Sequence, residues 1–163
     1  MSESGSTLLF RELPSHLKFS AEEKRSLKAF ARTVSSRVVN RRAFTCVISN
    51  DDELHRLNRI FLGHDYPTDV LSFPEVPEGE HAGEIIISAE RAEAQASQFG
   101  HGRIDEIRIL MLHGLLHLAG MDHECDKGEM ARAENKWRRE FGLPTALIAR
   151  TDGNGYGRRG ATR

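Results

Sequence analysis

The 163-residue sequence has few of the features that anchor or cross-link proteins outside the cytoplasm. Its two cysteines, Cys46 and Cys125, are far apart and form no CxxC motif, so we expect a reduced, cytoplasmic protein and no disulfide scaffold. The longest apolar stretch, residues 109–121, is too short to span a bilayer and contains two histidines. The polar, acidic start over residues 1–6 predicts no signal peptide. The absences together favour a globular protein with its own core.

An excess of either charge sign is also missing, because the formal net charge is −1. Composition alone therefore does not indicate a nucleic-acid-binding protein. The charges are unevenly distributed: residues 1–50 carry nine basic and four acidic side chains, and residues 51–100 carry three and eleven. RNA contact would need a local basic face, and one candidate face comprises Lys24, Arg25, Lys28, Arg32, Arg37, Arg41 and Arg42. An ordinary solvated helix face is an equally good interpretation of this cluster.

Hydrophobic periodicity predicts an alternation of strands and helices. The predicted strands are 6–11, 43–49, 70–73 and 83–88. The predicted helices are 20–39, 50–63, 89–98, 104–119 and 126–142. The opening β-α-β-α order predicts parallel pairing, whereas an acidic loop at 75–82 predicts that the third and fourth strands pair antiparallel. We therefore expect an α+β fold, an α/β sandwich with a four-stranded mixed sheet and about five helices. It forms one domain over residues 1–149, with a disordered basic tail at 150–163.

Three of the eight histidines fall within eleven residues: His113, His117 and His123. Helical spacing places the first two on one face, and Gly120 ends the helix so that His123 can return to the same point. The surrounding leucines predict a buried helix, in which imidazoles need polar partners. The pattern predicts a three-histidine zinc site with an open fourth position, although nickel, cobalt or copper also fit such ligands. Hydrogen-bonded core histidines are the alternative, and Cys125 is either a fourth ligand or, more simply, a free thiol.

The HxxxHxxGxxH spacing is that of metzincin peptidases, but Gly114 occupies the position of their glutamate base. Asp122 and Glu124 flank the third histidine and are the alternative candidates for a base. Asp122 is better suited to orienting a ligating imidazole. Three neutral ligands leave the charge of zinc uncompensated, which attracts anions such as phosphate. The sequence thus predicts a hydrolytic metal site without the peptidase base, and a metallopeptidase with another carboxylate stays an alternative.

The segment from His113 to His123 resembles the signature of the YbeY family of bacterial endoribonucleases. The resemblance extends, in the family's order, to Leu57–Asn58, Pro67–Pro74 and Gly83–Ser88, and covers most of residues 50–125. It implies a zinc-dependent, single-strand-specific endoribonuclease that acts in maturation of small-subunit ribosomal RNA and in ribosome quality control. It also implies that three histidines hold one zinc ion. Ribosomal RNA, small-subunit proteins and a ribosome-associated GTPase are the implied partners.

One position departs from the family pattern, which has an aromatic residue followed by an arginine where this sequence has Phe61 and Leu62. Arg59 is the nearest candidate for binding a phosphate, and Arg59 and Asp122 are both weak catalytic candidates. The alternative for Arg59 is an ordinary surface residue. His64 is a weaker substitute. Ser72 either contacts substrate or makes a structural hydrogen bond. If the missing arginine is decisive, the chain is a ribosome-assembly binding factor with a structural zinc site.

Overall fold

The computed structural model describes residues 5–122 and 126–145, and within them strands and helices follow one another in the predicted order. The strands are β1 (Thr7–Phe10), β2 (Ala43–Ser49), β3 (Val70–Pro74) and β4 (His81–Ser88). The helices are α1 (Ala21–Val38), α2 (Asp51–Leu62), α3 (Ala89–Phe99), α4 (Arg103–Leu118) and α5 (Glu129–Glu140). The predicted α+β class is confirmed. The tail predicted at 150–163 lies outside the described residues.

The sheet is mixed, with strand order β1-β2-β4-β3. β2 pairs parallel with β1 and β4, and β3 pairs antiparallel with β4, so both pairing predictions are confirmed. β4 nevertheless begins at His81, and the acidic loop predicted at 75–82 was therefore too long. The strand extends further because His81 pairs with Ala43 of β2 and because the Glu75 amide donates to the Ala82 carbonyl.

The helix ends follow the side-chain signals in the sequence. The Ser20 hydroxyl accepts the amide of Glu23 while the Glu23 carboxylate accepts the amide of Ser20, and this capping box begins α1 where the sequence predicted a helix to start. Asn50 accepts the amide of Glu53 at the start of α2, and Gly63 ends that helix in a left-handed conformation. Each such cap contributes on the order of 1 kcal/mol.

The two faces of the sheet pack against different helices. Residues that point to one face, including Ile85 and Ile87 of β4, join the main core with α1, α3 and α4. Leu71 and Ile86 point to the other face and pack against Leu54 of α2. Alternation along each strand therefore sets α4 and α2 on opposite sides of the sheet.

Cys46 lies in the main core on β2. Burial raises the pKa of its thiol far above the ordinary range, so this cysteine stays protonated and unreactive. A search of the helices in the described ranges found none that is both long and apolar enough to cross a membrane.

Candidate metal centre

Helix α4, which carries two of the predicted metal ligands, is enclosed on nearly every side. Twelve of its sixteen residues are buried. One side lies on β3 and β4, and another packs through Leu112 and Leu116 against Met130 of α5. His113 and His117 are 5% and 4% exposed, so the predicted burial of this helix is confirmed.

The two imidazoles meet at one point. The Nε2 atoms of His113 and His117 are 3.2 Å apart, and the ring planes are inclined by 71°. This convergence follows from their i,i+4 spacing on one helix face, as predicted. Two imidazole nitrogens at this distance share either a proton or a cation.

A carboxylate on α5 fixes the orientation of His113. The Nδ1 atom of His113 lies 2.8 Å from Oε1 of Glu134, and the guanidinium of Arg138 donates to Oε2 of Glu134 at 2.7 Å. An ionised carboxylate only accepts, so Nδ1 of His113 carries the proton and its Nε2 presents a lone pair toward His117. This is the hydrogen-bonding pattern that orients metal-ligating histidines.

Glu134 is the site residue that sequence reasoning missed. The signal was present, because Glu134 and Arg138 lie four and eight residues after Met130, on the buried face of α5. That face was predicted from apolar residues alone. A buried glutamate–arginine pair at i,i+4 on such a face indicates a third polar partner on the neighbouring helix.

The histidine pair fits a zinc ion. Two nitrogens bound to tetrahedral zinc at about 2.0–2.1 Å would be about 3.3 Å apart, close to the observed 3.2 Å. The predicted third ligand, His123, and its neighbours Glu124 and Cys125 lie outside the described residues. Within residues 5–122 and 126–145, no three potential ligands converge. The turn that was predicted to return the chain is present, since Gly120 has φ of 98° just after α4.

Gly114 brings α4 into direct contact with the sheet. A Cβ atom at this position would lie 2.9 Å from Cγ2 of Ile85 and 3.1 Å from Oγ of Ser72. The Ser72 hydroxyl is fully buried and donates to the Gly114 carbonyl at 3.2 Å, as the structural interpretation of Ser72 expected. Position 114 has no room for the glutamate that serves the peptidases as a base. Close packing of α4 on the sheet therefore explains why glycine stands here in place of the glutamate of HExxH.

The remaining candidate residues lie around α2 and at the end of the first described range. Leu62 is half-buried and packs against the apolar cluster between α2 and the sheet. Arg59 is exposed, and its Nη1 lies 3.9 Å from Oδ1 of Asp65. Asp122 is half-buried at the last position before the gap in the described residues. A phosphate contact by Arg59 and an orienting role for Asp122 stay predictions.

The basic face predicted on α1 divides into two groups. Arg42 donates to the carbonyls of Val76, Gly79 and His81 and so holds the loop between β3 and β4, while Arg37 lies over the rings of Trp137 and Phe141. These two cations have structural roles. Three others remain exposed on α1: Arg25, Lys28 and Arg32.

A mixed sheet beneath a buried helix with two converging, carboxylate-supported imidazoles defines an α+β protein with a histidine-centred candidate site. The family described as Endoribonuclease YbeY matches residues 15–142. The chain belongs to this endoribonuclease family, and the resemblance stated from the sequence is confirmed.

Named relatives agree with this assignment, and a solved structure shares the fold. Endoribonuclease YbeY of Solibacter usitatus is 49% identical over 149 residues, which are 91% of this chain and 97% of that protein. The Koribacter versatilis protein of the same name is 44% identical, over 82% of this chain and 88% of its own length. The solution structure of a Thermotoga maritima protein is 26% identical with a TM-score of 0.56, covering 88% of this chain and 99% of that one.

Proposed function

We propose that this protein is a zinc-dependent endoribonuclease that cleaves single-stranded RNA during maturation of small-subunit ribosomal RNA and in ribosome quality control. One observation carries the proposal: two buried Nε2 atoms converge to 3.2 Å, one of them oriented by Glu134, in a chain of an endoribonuclease family. Its setting would be the cytoplasm, with ribosomal proteins and a ribosome-associated GTPase as partners.

The residues of the chain have separate tasks in this proposal. His113, His117 and His123 would hold the zinc ion. When bound, zinc supplies Lewis acidity toward a phosphodiester and lowers the pKa of water. Glu134 keeps the proton on Nδ1 of His113, so that Nε2 stays available as a ligand. The enclosure of α4 excludes water from all but the open side of the histidines, which strengthens their interaction with a charged group.

Metal analysis coupled to a ribonuclease assay tests the proposal on the wild type and on His117→Ala. The wild type should contain about one zinc per chain and cleave unstructured RNA, and His117→Ala should lose both properties, because a catalytic zinc site needs its three protein ligands. His16→Ala is the matched control, since His16 is exposed and outside the site. Retention of zinc and cleavage by folded His117→Ala would refute the metal assignment.

A binding role is the second candidate, and the position of Leu62 favours it. The side chain packs into the cluster between α2 and the sheet and brings no charge to the site. Leu62→Arg separates the two functions. Increased RNA cleavage would indicate a nuclease weakened at this position, whereas no cleavage by either form, with ribosomal-subunit binding intact, would indicate an assembly factor.

A further inference from the structure

Three of the large exposed apolar side chains lie together at the end of α2 and in the loop that follows. Ile60, Phe61 and Tyr66 are 54%, 59% and 37% exposed. A group of such residues within seven positions is more informative than isolated ones, because exposed apolar patches mark binding sites. His64 is also exposed and stacks on Tyr66, with ring centroids 5.3 Å apart and planes inclined by 9°. We call Phe61, His64 and Tyr66 the ring surface.

The ring surface is held rigidly from beneath. The Asn58 side chain, itself 2% exposed, donates to the Tyr66 carbonyl at 2.8 Å, and the amides of Gly63 and His64 close the end of α2. Phe61 rests edge-on against Phe73 of β3, with centroids 5.6 Å apart. Because hydrogen bonds hold the backbone here, a ligand that stacks on the rings needs to order only their side chains.

The ring surface is connected to the histidines through a single strand. Phe73, which contacts Phe61, follows Ser72 in β3, and Ser72 bonds to Gly114 between the two histidines. β3 is one of the two edge strands of the sheet. A polymer that passes round this edge would therefore meet the rings on one side and the histidine helix on the other.

We propose that the ring surface stacks the unpaired bases of single-stranded RNA that passes round the β3 edge to the histidine site. The inference rests on the proposed nuclease function and adds a substrate-binding surface to it. Flat aromatic faces suit this ligand, because base–aromatic stacking is the usual means of holding single-stranded nucleic acid without sequence preference. Phe61 and Phe73 also line a groove of about 660 Å³ between α2 and the sheet, which leaves room beside a stacked base.

One arginine near the ring surface supplies a contact for an RNA phosphate. Arg59 lies two residues before Phe61 in the last turn of α2, and its contact with exposed Asp65 at 3.9 Å is too weak to withhold the guanidinium from a phosphate. A protein ligand fits less well, since a standard interface uses about 20–30 residues a side and this surface has three rings and Ile60.

Equilibrium binding of a mixed-sequence, single-stranded oligoribonucleotide with one 2-aminopurine tests the proposal. Binding is measured in the His117→Ala background, which suppresses cleavage, and KM in the wild-type background. Phe61→Leu and Tyr66→Leu remove the rings but keep apolar side chains. Each should raise Kd and KM about tenfold and reduce quenching of the base. Phe61→Tyr should restore both values, and Val76→Ala, at an exposed apolar residue of another loop, should change neither.

The outcomes separate this surface from the nuclease function. Ring variants with Kd and KM within twofold of the parent, while the wild type cleaves RNA, would refute the ring surface and leave the nuclease standing. A wild type that neither binds nor cleaves RNA would refute both. Unchanged RNA affinity with altered self-association would assign the surface to contact between copies of the chain and would overturn the proposal.

Discussion

Helices α4 and α2 lie on opposite faces of one sheet and differ in how far they are enclosed. Twelve of the sixteen residues of α4 are buried, compared with two of the twelve in α2, Leu54 and Asn58. α4 packs on the sheet and on α1, α3 and α5, whereas α2 packs on the sheet and, among the described helices, chiefly against α3. The same sheet therefore supports one helix whose residues are almost all fixed by packing and another that is largely free to vary.

The difference accounts for where the chain departs from its family. The histidines lie on the enclosed helix, where Gly114 and Ser72 leave no space for a larger residue. Leu62, which replaces the expected arginine, lies half-buried at the end of α2, outside the main core. Substitutions that tune substrate contact are therefore expected at α2, and those that abolish the site at α4. The four predictions below test this contrast.

Glu134→Gln should have the largest effect, because it removes the negative charge beside the buried Arg138 and the partner of His113. We expect the free energy of unfolding to fall by about 3 kcal/mol. If zinc binds as proposed, its affinity should fall about 10- to 100-fold. Urea unfolding and zinc titration measure the two effects. Glu140→Gln, on the same helix in an exposed pair with Arg37, should cost under about 0.5 kcal/mol. Equal losses of unfolding free energy in Glu134→Gln and Glu140→Gln would show that burial of the ion pair does not determine the size of the loss.

Gly114→Ala should be the next most destabilising change. The new Cβ would lie 2.9 Å from Ile85 and 3.1 Å from Ser72, so α4 or the sheet must shift. Overpacking of this kind costs about 1–3 kcal/mol, even though alanine favours a helix over glycine by about 1 kcal/mol. Urea unfolding measures the loss. Gly5→Ala is the control, since its Cβ would make only an ordinary contact at 3.7 Å. A stabilised Gly114→Ala would mean that α4 is loosely packed on the sheet.

Ser72→Ala should have an intermediate effect that distinguishes the two interpretations of this residue. Loss of the buried hydrogen bond to the Gly114 carbonyl should cost about 1 kcal/mol. Because the hydroxyl is fully buried, KM for RNA should not change. Thermal unfolding and steady-state cleavage measure these quantities, with exposed Ser36→Ala as the control. A raised KM with unchanged stability would instead support the substrate contact.

Most features that depend on residues close together in the sequence could be predicted from it. Hydrophobic periodicity located all nine described elements, and Ser20, Asn50 and Gly63 marked helix ends because capping involves neighbours in sequence. The histidine spacing predicted the convergence of His113 and His117 for the same reason, since residues four apart on a helix lie on one face.

Features that depend on distant contacts were not predicted. Glu134 meets His113 across 21 positions, and Arg42 reaches the Gly79 carbonyl across 37. The sequence showed these side chains only as charges on helix surfaces or in loops. Ser72 could not be assigned for a related reason, since only the packing of α4 on the sheet shows that its hydroxyl is buried. Tertiary packing thus decides which polar residues of a correctly predicted element belong to the site.

Glu53→Gln, on the open helix, should have the smallest effect. The hydrogen bond from Arg56 lowers the pKa of the Glu53 carboxyl below its ordinary value of 4.5. The pair therefore stabilises the protein above the pKa of the unfolded state and loses this contribution as pH falls through the lowered pKa. We expect a difference of about 0.3–0.5 kcal/mol between wild type and variant at pH 7. It should diminish as pH falls through the lowered pKa and also shrink in 1 M salt, because exposed pairs are screened. Urea unfolding over a pH series and at two salt concentrations measures it. The loss in Glu134→Gln should persist in salt, because that pair is enclosed. A salt-insensitive loss above about 1 kcal/mol for Glu53→Gln would show that α2 is as constrained as α4.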